Sequence, residues 1–132
     1  MIIIGHKAIK YPNFKYIVNI DDIASSIASD VLLFSVNSDK NYVISQHCND
    51  NELEYAVLLD NINHALIYSQ LGAKYLIYNS CDVAKSVQKI ANEYFFDSKI
   101  ICVIHDEKAL ETIAESGIDG VIFIDVLKNC KK

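Results

Sequence analysis

The residues of this 132-residue chain that could do chemistry stand just after its apolar runs. His6 follows Met1–Gly5, Asp60 and Asn61 follow Tyr55–Leu59, and Asn79, Ser80 and Cys81 follow Lys74–Tyr78. His105 and Asp106 follow Lys99–Ile104, Asp125 follows Gly120–Ile124, and Asn19 and Asn37 complete the set. If those runs are parallel strands, these side chains share one edge of the sheet, the edge where α/β proteins bind ligands. His6, Asp60, Ser80 and His105 are the candidate ligand-binding residues. Cys81 is the candidate nucleophile, because free backbone N–H groups and the helix dipole favour a thiolate in a first helical turn. His105 is its candidate base, with Asp106 beside it. Another role competes for these positions. Asp60, Ser80 and Asp106 are types that helices prefer as N-caps, and Asp82 sets a negative charge beside Cys81.

Other chemistries lack their parts. A metal site needs three or four converging ligands, and His6, Cys81, His105 and Asp106 would meet only if the first strand lay beside the fifth or sixth. His47 and Cys48 are adjacent on a helix and point apart, and His64 is expected to face solvent. No metal is expected. Nor is a nucleotide cofactor: there is no GxGxxG or GK[ST] turn, Gly72 and Gly117 end helices, Gly120 enters a strand and Gly5 precedes a loop. All twelve basic residues are Lys, so a planar bidentate clamp for phosphate or carboxylate is missing. Lys74 and Lys99 begin strands, which leaves Lys108 as the one cation near the candidate edge. Cys48, Cys81, Cys102 and Cys130 form no CxxC pair and are expected as reduced thiols.

A net charge of −5 and a pI near 5.2 argue against nucleic acid and anionic membranes as partners. The composition, 52% hydrophobic and 22% charged, is that of a globular domain. The uncharged stretches are too short to span a bilayer, and the start MIIIGHK is too short for a signal peptide, so a cytoplasmic protein is expected.

The elements that must position these residues alternate. Strands are expected at Met1–Gly5, Phe14–Asn19, Val31–Val36, Tyr55–Leu59, Lys74–Tyr78, Lys99–Ile104 and Gly120–Ile124. Helices are expected at Asp21–Ala28, from Ser38 and Asp39 to about Asn49, at Asn61–Leu71, from Ser80 to about Phe95 and at Asp106–Ser116. The fourth helix carries Val83, Val87, Ile90, Ala91 and Tyr94 along one face. Leu127–Lys132 is expected to be a frayed basic tail. The later strands are continuous apolar runs, the mark of a parallel sheet buried on both faces.

Within this frame, VLLDNINHALIYSQLGAKYLIY (Val57–Tyr78) parallels VIHDEKALETIAESGIDGVIF (Val103–Phe123). On these two segments, the stretch Tyr55–Asp125 resembles the middle βα units of the indole-3-glycerol-phosphate synthase barrel. The resemblance implies a related βα architecture and not that activity. The family's catalytic lysine, glutamate and asparagine fall on Leu59, Val103 and Ile124. A response-regulator receiver fits less well, because the strand after Ser80 ends Ile104-His105 instead of in a lysine.

The sequence thus predicts one α/β domain over residues 1–132, with a mostly parallel sheet of five or more strands and flanking helices. An N-terminal strand pair is expected around the Pro12 loop. One reversal of strand order gives a three-layer open sheet, and none gives a half-barrel of βα units. The open sheet is favoured because it covers both faces. The function expected is non-catalytic association with a second copy or a partner, as a homodimer, with Phe95-Phe96 as an apolar contact. A small-molecule binder or an enzyme using the crown around Cys81 and His105 is the alternative.

Overall fold

Each apolar run becomes a strand, built mostly of aliphatic and aromatic residues. They are β1 (Ile2–Ile4), β2 (Phe14–Tyr16), β3 (Val31–Ser35), β4 (Tyr55–Leu59), β5 (Tyr75–Tyr78), β6 (Lys99–Ile104) and β7 (Gly120–Phe123). The computed structural model describes residues 1–131. All strand pairs are parallel, in the order β1-β7-β6-β5-β4-β3-β2. From β2 to β7 the order never reverses, so the crossover helices all lie on one face and the sheet curls into a half-barrel. The α/β class and parallel sheet hold, and of the two arrangements it is the half-barrel that forms.

The helices α1 (Val43–Asp50), α2 (Ile62–Gln70), α3 (Cys81–Glu93) and α4 (Leu110–Ser116) cover the convex face. Ile44, Tyr68, Val87 and Ile113 from these helices share one core with Phe34, Val57, Leu76, Cys102 and Val121 of the sheet. The concave face is not bare. Ile124–Cys130 forms α5, taking in Ile124, expected as the end of the last strand, and most of the Leu127–Lys132 tail expected to fray, and it seats Leu127 among Ile4, Phe14, Leu33, Tyr75 and Ile101. Its apolar residues Ile124, Val126 and Leu127 give it an inward stripe, which stabilises a helix that propensity alone would not. Lys132, the end of the expected tail, lies outside the described residues. No helix among the described residues is long and apolar enough to cross a membrane.

The expected N-terminal strand pair does not form. β1 pairs with β7 and β2 with β3, at opposite edges of the sheet. Parallel neighbours need a crossover of about a dozen residues or more, longer than the Pro12 loop supplies. Gly120 makes the β1–β7 contact possible, since a Cβ there would collide with the Ile2 carbonyl oxygen. Gly117 ends α4 in the left-handed region at φ 76°, as its position in the sequence predicts.

Two helix starts differ from expectation. The segment after β2 is a 3-10 turn, Ile20–Ser25, capped by Asn19 in a reciprocal box with Asp22, not by Asp21. After β3 the chain runs through two short 3-10 turns, with Asn41 and Tyr42 left-handed, before α1 begins at Val43.

Candidate functional site

The carboxyl edge of the sheet gathers the predicted residues but uses most of them locally. Asn61 caps α2 by accepting from the His64 N–H at 3.1 Å, so Asp60 is not the cap. Ser80 Oγ accepts from the Val83 N–H at 3.3 Å, and Asp106 from the Lys108 N–H at 2.9 Å. A capping oxygen engaged in this way satisfies an otherwise orphaned donor. It is correspondingly less available to a ligand.

His6 is held at both ring nitrogens. The Ala8 N–H donates to Nδ1 at 3.1 Å, and Nε2 lies 2.5 Å from Glu107 Oε1. With Nδ1 accepting, the ring proton sits on Nε2 and is donated to Glu107. Neither nitrogen is left to act as a base, and the pair ties the loop after β1 to the loop after β6.

Cys81 and Cys102 are joined in a disulfide, with their Cα atoms 5.6 Å apart. This corrects the expectation of reduced thiols for these two cysteines, while Cys48 and Cys130 are free, and it removes Cys81 as a free nucleophile beside His105. The sequence separation of 21 hid the pairing. The carboxyl end of β6 runs beside the turn that opens α3, and that proximity belongs to the fold. His105 is exposed at the rim, as is Asp106. No group of three or more His, Cys, Asp or Glu that could hold a metal ion occurs among the described residues.

One buried polar network lies under α1 and α2. Asp39, 4% exposed, accepts from the Ile44 N–H at 2.7 Å, the Ser45 N–H at 3.1 Å and the Ser45 hydroxyl at 2.6 Å. The Tyr68 hydroxyl donates to the same carboxylate at 2.7 Å. Burial, with that hydrogen bond next, pushes the Tyr68 phenol well above its ordinary range. Burial also lifts the Cys48 thiol to about 11. His64, expected in solvent, is half-buried, with Nδ1 covered and unpartnered. The Asp39 carboxylate thus replaces the missing first-turn partners of α1, a structural role. Ser38 and Asp39 were legible as a helix start, while the Tyr68 contact had no local signal.

The amino edge is built differently. Gln88, 3% exposed, forms a two-point amide clasp with the entry to β7. Its Nε2 donates to Asp119 Oδ1 at 3.2 Å and its Oε1 accepts from the Asp119 N–H at 2.9 Å. Just past α3, Tyr94 and Phe95 project outward, 68% and 88% exposed. Phe95 has φ 53°, a left-handed backbone that a bulky side chain adopts at a cost. Tyr94, expected on the buried face of α3, instead joins this ridge, because the helix ends at Glu93 and the chain turns. Phe96 turns inward against the convex core. Phe95 stands between two clefts. One, of about 340 Å³, includes Gln70, Gly72 and Ser98 in its wall, and the other, of about 280 Å³, includes Gln88, Lys99 and Asp119. Neither a protein-family model nor a curated protein matches this chain.

Proposed function

We propose that this chain is a non-catalytic α/β domain that pairs with a second copy of itself through the amino-edge ridge. The observation that carries this reading is Phe95, 88% exposed and held outward by a left-handed backbone, beside clefts large enough to take a ring. A projecting knob next to its own hole is self-complementary under two-fold symmetry, the commonest symmetry of soluble dimers. Burying each Phe95 would contribute roughly 2–3 kcal/mol, and exposed aromatic anchors of this kind dominate interface energies. The half-barrel with unreversed strand order supports a scaffold shared with the synthase-like barrels. Apolar residues at Leu59, Val103 and Ile124 support the absence of their activity.

Sedimentation equilibrium tests the reading. At high micromolar concentration the chain should approach twice its 14.9 kDa mass, and Phe95→Asp should be monomeric with an unchanged circular dichroism spectrum. A wild-type chain that stays at 14.9 kDa sinks the proposal, as does a Phe95→Asp variant that still dimerises.

A further inference from the structure

We propose that Cys81 and Cys102 are a reversible redox pair that exchanges with small thiols of the glutathione class through the Cys81 sulfur. The two sulfurs differ in access. Cys81 is the first residue of α3, half-buried at the rim, whereas Cys102 is fully buried within β6. Of the pair, Cys81 is therefore the residue with surface at which a thiolate can approach, and attack falls on its sulfur. Attack there forms a mixed disulfide on Cys81 and releases Cys102 as a thiolate, which takes a proton. A second small thiolate then attacks its own kind's sulfur in the mixed disulfide, releasing Cys81 as a thiolate. Two small thiols are oxidised to their disulfide, and the protein pair gains two electrons. The first-turn N–H groups of α3 favour the anion released at Cys81.

Both redox states fit the fold. Cys102 lies between Tyr78 of β5 and Val121 of β7 in register, where a thiol packs as a small apolar group. The unit it closes, β5-α3-β6, is already held by parallel pairing, so opening the bond removes no strand contact. Nor does another thiol compete for Cys81. Cys48 is fully buried on the inner face of α1, in a different strand-helix unit, and Cys130 sits on α5 at the concave face.

The folded protein is equilibrated in mixtures of reduced and oxidised glutathione, quenched in acid, alkylated and weighed. The pair is expected to open and close as one two-electron step within the glutathione range. Cys102→Ser should gain one glutathione, on Cys81, more than about tenfold faster than Cys81→Ser gains one on Cys102. Circular dichroism checks that both variants are folded, and the wild-type titration needs neither. A bond that opens only in denaturant is a structural cross-link and overturns the proposal. So do thiols that stay unpaired in excess oxidised glutathione, or a Cys102 that reacts first.

Discussion

The two edges of the sheet divide the molecule's side chains in opposite ways. At the carboxyl edge, polar groups are abundant and engaged: Asn61, Ser80 and Asp106 serve backbone donors, and His6 is held by Ala8 and Glu107. At the amino edge, one clasp, Gln88 with Asp119, anchors α3, and the large side chains Tyr94 and Phe95 are left outside. The difference teaches that a strand-end crown rich in Asp, Ser and His is not by itself a binding site. Helices need the same residue types for their own first turns. The groups that remain without a local partner mark the more promising surface.

The strongest way to break this contrast is to remove the acid that organises the carboxyl side. Asp39→Ala leaves the Tyr68 hydroxyl and two first-turn N–H groups without their acceptor, and leaves the Ser45 hydroxyl only the Tyr42 carbonyl. It should cost about 3–5 kcal/mol in urea unfolding, since each buried unpaired group costs roughly 1–3 kcal/mol. A loss under about 1 kcal/mol would show that water reaches this carboxylate and that the network does not hold α1.

A smaller effect sharpens the claim that caps occupy the crown. Asn61→Ala should cost about 1 kcal/mol, and Asp60→Ala next to it close to nothing. Equal losses at the two positions in thermal denaturation would contradict the assignment of Asn61 as the cap.

The smallest expected change has the opposite sign. Phe95→Gly relaxes the left-handed backbone and should stabilise the monomer by up to about 1 kcal/mol while weakening the dimer. A less stable monomer would mean that Phe95 is packed against its own chain.

Much of this architecture was legible in the sequence because it rests on local pattern. Continuous apolar runs such as YLIY and KIICVI announce strands buried on both faces, and Ser80 and Gly117 mark helix ends by residue type. The curl was not legible in the same way. It depends on strand order and on α5, whose apolar stripe over Ile124–Leu127 is too short to stand out from a charged tail. The site was legible as a list and not as a set of contacts. Nothing near Cys81 names Cys102, and nothing near Asp39 names Tyr68, because both pairings join segments that meet only when the sheet has formed.

The placement of β1 has a consequence for how the chain reaches its native state. Of the seven described strands β1 is synthesised before the others, yet its hydrogen-bonding partner is β7, the seventh in chain order. The intervening units can form in order, each on its neighbour, while Ile2–Ile4 wait as an unpaired apolar segment. Contacts between residues so far apart in sequence are slow to close. Seating of the first strand is therefore expected to be the late event of folding, and the interval before it is when the chain is most exposed to aggregation.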